Sequence, residues 1–259
     1  MLNPSHHLAA LLLLTSLTPN PVLTSAAKTV IIPKSSFDNQ TSFDTYWNYL
    51  YPWGTDHNGS ARMARAQTRL SNSTLIHTAT RSQNQKPATH GGKQIPIRYL
   101  SGAVHAKKHL TVTRGGGFDF SAEFVAPVAR GTWPAFWLTG VESWPPEIDL
   151  AEWKGSGKIS FNTFNTSSQV RARDVGYPDP GRWHSVLCEV RNAGGGNGDV
   201  GVKFWLDGKM IEQQWGKGFV GKALYLIINL QMEGSSGGNG PEQDTLFQTR
   251  NVEVVEYTA

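Results

Sequence analysis

The chain has 259 residues, of which 27 are glycine and 14 are proline, and its formal net charge is +4. Because glycine and proline are spread along the chain and no long segment repeats with a 3.6-residue period, the composition excludes a mainly helical fold. Lysine and arginine are scattered and form no basic stripe, so we expect no nucleic-acid partner. The single cysteine, Cys188, excludes an intramolecular disulfide and alternates with Val186 and Val190, which predicts a buried thiol.

The first 27 residues have the composition of a secretory signal peptide. They contain no Lys, Arg, Asp or Glu, they include the apolar run Leu8–Leu14, and they end in the small residues Ser25–Ala27. The apolar run is too short to span a membrane. We therefore expect a secreted, extracellular and monomeric protein with no membrane partner, made of a signal peptide at 1–27 and one domain at 28–259. Tripeptides that can accept N-linked glycans begin at Asn39, Asn58, Asn72 and Asn165.

The rest of the chain consists of short strand-like runs separated by turn residues. In chain order, the signals are a strand pair turning at Ser71–Ser73, a loop at 81–94, strict alternation in 118–125, a hairpin turn at Asp207-Gly208 and a buried strand at Leu224–Met232. The inward positions of the alternating segment are Phe118, Phe120, Ala122 and Phe124. This pattern predicts an all-β fold in which two antiparallel sheets pack as a sandwich, with one concave face open to a ligand.

Three carboxylates within six residues, Glu147, Asp149 and Glu152, lie between tryptophans in a β-prone stretch. Side chains alternate along a regular strand, so Glu152 would point away from the other two. One extra residue, a β-bulge near Leu150-Ala151, would bring all three to one face. Two carboxylates across a sugar-sized gap can cleave a glycosidic bond, so the motif predicts a glycosidase. The alternative is a solvated polar strand face, which the flanking tryptophans disfavour.

The segments Trp133–Leu138 and Trp144–Trp153 together resemble the core of glycoside hydrolase family 16, the jelly-roll glucanases of laminarinase and lichenase type. Weaker similarity extends over about residues 100–257, whereas residues 37–100 do not resemble the usual start of the family. The resemblance implies a jelly-roll β-sandwich with a carbohydrate-binding cleft. It also implies an endo-acting hydrolase whose polysaccharide substrate is a β-1,3- or mixed-linkage glucan.

By the same resemblance, Glu147 is the nucleophile, Asp149 assists it, and Glu152 is the acid/base. Two Glu on one short strand face predict the ~5 Å separation of a retaining double displacement, since the wider gap of an inverting enzyme fits badly there. The first step requires Glu147 to be ionised and Glu152 to be protonated. No cofactor is required for this chemistry and no metal-ligand spacing is evident, although family members often carry a structural Ca²⁺ away from the acids.

Several aromatic side chains near the motif are candidate platforms for sugar rings, with core packing as the alternative for each of them. Strand alternation puts Trp133 and Trp137 on one face, so one of them in the cleft would imply both. Asn162 stands where many members of the family place a His, and we expect it to contact the substrate. The full set of predicted substrate-binding residues is Trp133, Trp137, Trp144, Trp153 and Asn162.

Two other functions are compatible with a secreted β-sandwich. A polysaccharide lyase similar to the glucuronan lyases needs a Tyr or His base and a cation for the uronate, and the candidates are His57, His105, Tyr99, Arg62 and Arg98. A non-catalytic carbohydrate-binding module could use the same concave face, but it has no need of three clustered acids.

The signal peptide gives a direct prediction. Cleavage after the small residues at its end should leave a mature chain that starts near Lys28. N-terminal sequencing of the secreted protein measures this, and a chain that still starts at Met1 would overturn the expected localisation.

Overall fold

The computed structural model of the chain describes residues 27–234 and 240–259. The predicted signal peptide lies outside the described residues except for Ala27, which begins the first strand. One α-helix is described, α1 at Gln40–Tyr46, and 3₁₀ turns lie at Lys34–Phe37 and Arg65–Gln67. The strands are β1 Ala27–Ile32, β2 Trp47–Tyr49, β3 Ala61–Met63, β4 Thr68–Ser71, β5 Thr74–Arg81, β6 Ala88–His90, β7 Lys93–Ile95, β8 Tyr99–Ser101, β9 Ala103–Ala106, β10 Leu110–Thr111, β11 Gly117–Val125, β12 Thr132–Gly140, β13 Glu147–Glu152, β14 Lys158–Thr166, β15 Gln169–Gly176, β16 His184–Asn192, β17 Val200–Leu206, β18 Lys209–Gly216, β19 Ala223–Met232 and β20 Thr245–Thr258.

Two large sheets form the sandwich, which confirms the all-β class. The outer sheet has the order β18-β17-β16-β11-β20-β5-β8-β3, with β1 added to β20 and β4 to β5. The other sheet, called the cleft sheet because it carries the acidic motif, has the order β15-β14-β13-β12-β19-β9-β2, with β10 added to β19. Their inner faces meet through aromatic contacts, such as Phe124 with Phe136 at 5.5 Å and Phe161 with Phe204 at 5.2 Å between ring centroids.

Alternation along the strands decides which side chains enter this core. The inward positions predicted for β11 are all buried, and so is Cys188 on the neighbouring strand β16. The predicted turns at Ser71–Ser73 and Asp207-Gly208 are also confirmed, since they join β4 to β5 and β17 to β18. In the cleft sheet, Phe136 and Leu138 of β12 point to the core. The other face of that strand is therefore the one available to a ligand.

Three local features differ from the sequence expectations. β3 pairs with β8 in parallel, so the sheets are not purely antiparallel. Helix α1 was not expected, because seven residues are too few to display a helical period; its start is capped by Asn39, whose side chain accepts a hydrogen bond from the backbone of Ser42. The segment 81–94, expected to be a loop, contains the β6-β7 hairpin, whose turn is formed by Gly91-Gly92, both at positive φ.

Trp153 lies in the core and not in the cleft, so the prediction that it binds substrate is wrong. Its side chain is 0 % exposed and packs against Phe124, Tyr177 and Phe247 at ring-centroid distances of 5.4 to 5.7 Å. Trp153 follows the last residue of β13, and the bulge in that strand sets which side it faces. Its indole nitrogen has no hydrogen-bond partner among the described residues.

We predict that Trp153→Ala lowers the free energy of unfolding by about 3 to 5 kcal/mol, because it leaves a large cavity between the sheets. Trp153→Phe is the matched control and should cost much less, since the indole N–H makes no hydrogen bond that could be lost. Denaturant unfolding of both variants measures this. A Trp153→Ala variant as stable as the wild type but unable to bind substrate would contradict the core assignment.

Candidate active site

A β-bulge in β13 places the three acids of the motif on one face. In the pairing of β12 with β13, Thr139 lies opposite Glu147, Trp137 opposite Asp149 and Ala135 opposite Glu152. Positions 135, 137 and 139 are every second residue of β12, so their side chains lie on one face of the sheet. The three residues paired with them lie on the same face. The register shifts between Asp149 and Glu152 on the other side of the strand as well. The predicted bulge is therefore confirmed, with Leu150 as the extra residue.

Indole and amide groups hold the three carboxylates in place. Trp144 donates its indole N–H to Glu147 at 2.9 Å, and Trp133 donates to the other glutamate, Glu152, at 2.5 Å. Asn162, on the adjacent strand β14, donates to Asp149 at 2.7 Å and to Glu152 at 2.9 Å. The acids thus form one hydrogen-bonded cluster. Such a cluster fixes the orientation of carboxyl groups that would otherwise repel each other.

Burial changes the proton affinity of the cluster. It raises the pKa of Glu147 to about 7; the hydrogen bond from Trp144 opposes this shift and the charge of Glu152 adds to it. It also raises the pKa of Asp149 well above its ordinary value, and the charges of Glu152 and Glu147 act in the same direction. Near neutral pH the cluster therefore retains a proton instead of carrying three negative charges.

Lys154 provides a positive charge at the edge of the cluster. Its ammonium lies 2.8 Å from Glu152, whose side chain is almost fully buried, whereas the lysine side chain is half exposed. Burial by itself lowers the pKa of Lys154, but the charge and hydrogen bond of Glu152 and the charges of Asp149 and Asp174 together outweigh burial, and the pKa is raised. Together with Trp133 and Asn162, this lysine gives Glu152 three donors.

The acids line a cleft on the exposed face of the cleft sheet. Trp133 and Trp137 both border it, as their shared face predicts, although Trp137 is itself buried. Trp144 is 51 % exposed beside Glu147. For these three tryptophans, contact with a sugar stays a prediction. The lining residues are His57, Trp133, Ala135, Trp137, Glu147, Asp149, Glu152, Asn229 and Gln231.

Asn162 has a different contact pattern from the one expected of a substrate ligand. It is buried, and its amide nitrogen is committed to Asp149 and Glu152. Its position therefore makes it a residue that orients the acids. A direct contact between Asn162 and the substrate stays a prediction.

Three polar residues of the cleft are not among the site residues predicted from the sequence. Asn229 and Gln231 lie on β19 opposite Ala135 and Trp133, and Asn229 accepts a hydrogen bond from Trp137 at 2.7 Å. Their spacing could have indicated this, because two polar residues on the same face of an otherwise apolar strand are informative: buried polar side chains often belong to a functional site. The third residue, His57, comes from the loop between β2 and β3 and had been considered only as a lyase base.

Two of the other residues considered for a lyase are engaged elsewhere. Arg62 forms a two-pronged pair with Asp56 at 2.7 and 2.8 Å, and Tyr99 is buried with its hydroxyl donating to the carbonyl oxygen of Pro241. A lyase site must neutralise the carboxylate of its uronate substrate. In this cleft the lining charges are three acids, which would repel that carboxylate.

In residues 27–234 and 240–259, no group of three or more His, Cys, Asp and Glu side chains has the arrangement of a metal site. The side chains present therefore do not fit a carboxylate-rich calcium site, and the structural Ca²⁺ stays a prediction on which no catalytic step depends. Over the same ranges, no helix combines the length and hydropathy of a membrane span.

Comparison with known proteins gives one strong sequence relationship. Over 225 residues, which cover 86% of this chain and 89% of the relative, the sequence is 53% identical to a galactan endo-β-1,3-galactanase of Flammulina velutipes. No family model matches the sequence.

Solved structures share the fold at low sequence identity. An endo-1,3-β-glucanase from Streptomyces sioyaensis is similar with a TM-score of 0.67 and 18% identity, covering 94% of this chain and 100% of that one. The laminarinase catalytic domain from Thermotoga maritima MSB8 gives a TM-score of 0.64 at 15% identity, covering 90% and 98%. Because these matches cover 94% and 90% of this chain, each includes more than half of residues 37–100, the part of the sequence in which no resemblance was found.

The raised pKa of Glu147 predicts a measurable effect on stability. Its ordinary pKa of 4.5 applies to the unfolded chain and the value of about 7 to the folded chain, so folding is favoured by protonation. The contribution is complete below about pH 4.5 and is lost as the pH rises through about 7. Glu147→Gln removes this pH-dependent contribution. Between pH 4.5 and pH 8, the free energy of unfolding of the wild type should therefore fall by up to about 3 kcal/mol relative to that of the variant.

Denaturant unfolding at both pH values measures this difference, and Glu142→Gln, which changes an exposed carboxylate in the preceding loop, is the matched control. A stability difference between wild type and Glu147→Gln that does not change with pH would contradict the buried, protonated cluster.

Proposed function

We propose that this chain, which belongs to glycoside hydrolase family 16 and is an endo-acting hydrolase of β-linked glycans, cleaves a β-1,3-linked galactan with retention of anomeric configuration. The observation that carries the mechanism is the bulge in β13, which gathers Glu147, Asp149 and Glu152 on the open face of the cleft sheet. The substrate rests on a different observation, the relationship to the galactanase of Flammulina velutipes.

The galactan replaces the glucan that the motif resemblance implied. The relative at 53% identity is named for β-1,3-galactan, whereas the glucanases and laminarinases are similar at 15 to 18% identity, which supports a common fold and says nothing about the sugar. The β-1,3 linkage is common to both groups. The proposal therefore keeps the linkage of the first expectation and changes the sugar.

In the first step of the proposed reaction, Glu147 attacks the anomeric carbon of the galactosyl unit. The bond from that carbon to the bridging oxygen breaks, and the oxygen takes a proton from Glu152. In the second step Glu152, now a carboxylate, takes a proton from water. The water oxygen attacks the anomeric carbon and releases Glu147 as a carboxylate. Two displacements at one carbon return the original β configuration.

The proton retained by the acid cluster has to be on Glu152 when the bond breaks. Asp149 supports this distribution, since its raised pKa keeps it neutral and able to donate a hydrogen bond to an ionised Glu147. The ammonium of Lys154 lies 2.8 Å from Glu152, beside the carboxyl group that has to carry this proton.

The proposed place of action is outside the cell, and the protein is proposed to act as a monomer. The support is the signal-like composition of residues 1–27 and the size of the substrate, a polysaccharide that an endo-acting enzyme meets in the extracellular space. The glycan-acceptor asparagines Asn39, Asn58 and Asn72 are exposed and lie outside the strands, which suits an exported glycoprotein.

We predict that the purified protein releases reducing ends from β-1,3-galactan in preference to β-1,3-glucan and mixed-linkage glucan, and that the β-anomer appears first in the NMR spectrum of the products. Because loss of a catalytic carboxylate removes several powers of ten in rate, Glu147→Gln and Glu152→Gln should be nearly inactive. An initial α-anomer would refute double displacement. An unsaturated product absorbing in the ultraviolet would indicate a lyase, and binding without cleavage would indicate a lectin-like module.

A further inference from the structure

One wall of the cleft comes from outside the cleft sheet, from residues 50–60 between β2 and β3. This wall is fastened to the end of β19: the backbone N–H of Ser60 donates to the carbonyl oxygen of Met232, and the N–H of Ala61 donates to the side chain of Gln231, both at 2.8 Å. The chain approaches so closely at Gly59 that a β-carbon there would lie 2.4 Å from the Gln231 side chain. The wall is therefore a fixed part of the cleft.

His57 projects from this wall and is held by ring contacts. Its ring centroid lies 5.3 Å from that of Trp53, 5.4 Å from Tyr51 and 5.5 Å from Trp137, and His90 of the β6-β7 hairpin is 5.8 Å away. The half-buried imidazole makes no hydrogen bond to any described residue, and its nitrogens are not sealed from solvent. It thus offers unused hydrogen-bonding groups on the lining that it shares with the three acids.

The protonation state of His57 restricts what it can recognise. Burial lowers its pKa to about 4, and the nearby His90 adds to the shift. Between about pH 4 and about pH 7 the imidazole is neutral while the acid cluster retains a proton, and one ring nitrogen is then a donor and the other an acceptor. A sugar hydroxyl, which can both accept and donate, matches such a group, whereas a carboxylate would need a cation.

Galactose differs from glucose at a single carbon. Its C4 hydroxyl is axial and stands off the face of the ring, while that of glucose lies near the ring plane. The floor of the cleft is the sheet face with Trp137 and the acids, and His57 covers part of Trp137 from the wall. A hydroxyl that rises from a ring lying on this floor would point towards the wall and not along the sheet.

We propose that His57 is a specificity-determining residue that hydrogen-bonds the axial C4 hydroxyl of a galactosyl unit bound beside the acids, and so selects galactan over glucan. This inference rests on the proposed galactanase function. The ring contacts with Tyr51, Trp53 and Trp137 position the imidazole, and its nitrogens discriminate between the sugars by hydrogen bonding to the C4 hydroxyl. A site that hydrogen-bonds a particular hydroxyl discriminates against a sugar that lacks it there, because the polar group is then left without a partner.

The test compares His57→Phe and His57→Gln with wild type. Phe keeps a ring that can pack on Tyr51, Trp53 and Trp137 but has no nitrogen, whereas Gln keeps a donor and an acceptor. His109→Phe, which changes a histidine packed on Tyr225 outside the acid-lined cleft, is the matched control. For each protein, kcat/KM is measured on β-1,3-linked galacto-oligosaccharides, on their 4-deoxy analogues and on β-1,3-linked gluco-oligosaccharides. Thermal unfolding verifies the fold.

His57→Phe should lose about tenfold or more in kcat/KM on the galacto-oligosaccharides, with little change on the 4-deoxy and gluco-oligosaccharides, while His57→Gln keeps part of the preference and His109→Phe all of it. Wild-type preference in a folded His57→Phe, or an equal loss on all three substrates, would overturn the proposal. A wild-type enzyme that cleaves gluco- but not galacto-oligosaccharides would instead refute the proposed galactanase function, and this inference with it.

Discussion

At Leu150 the strand Glu147–Glu152 contains one residue more than the strands on either side of it, and the presence of Glu152 on the same face as Glu147 and Asp149 depends on that insertion. Without it, Glu152 would point between the sheets, where an unpaired carboxylate is strongly unfavourable. With it, the acids face the cleft while Ile148 and Leu150 stay in the core. The same strand therefore supplies both the chemistry and part of the packing.

The three buried carboxyl groups of the acid cluster are needed for the proposed reaction, but they lower the stability of the folded protein. Three carboxyl groups share a partly dehydrated surface, and burial keeps at least one of them protonated near neutral pH. Indole and amide donors from Trp133, Trp144 and Asn162 offset part of this cost. The packed core below the strand, with Trp153 among its large side chains, supplies the stability that allows such a cluster to persist.

Features set by local periodicity could be predicted from the sequence, and features set by contacts between distant segments could not. Alternation in β11 and the parity of the acidic motif depend on neighbouring residues, so the buried face and the bulge were both predictable. The prediction for Trp153 was wrong because it left out the alternation after the bulge: once Glu152 faces the cleft, the next side chain faces the core. His57 reaches the cleft only through anchoring of its loop on β19, some 170 residues later in the chain, and no local pattern records that contact.

We expect Glu147, which shares the cleft face with Glu152 because of the bulge, to become covalently bonded to the sugar. The direct measurement uses a 2-deoxy-2-fluoro β-1,3-galacto-oligosaccharide with an activated leaving group, which slows the second displacement more than the first and lets the intermediate accumulate. Mass spectrometry of the digested protein should find the sugar as an ester on Glu147. A sugar attached to Asp149 or Glu152, or turnover of the natural substrate with inversion and no adduct, would contradict the account.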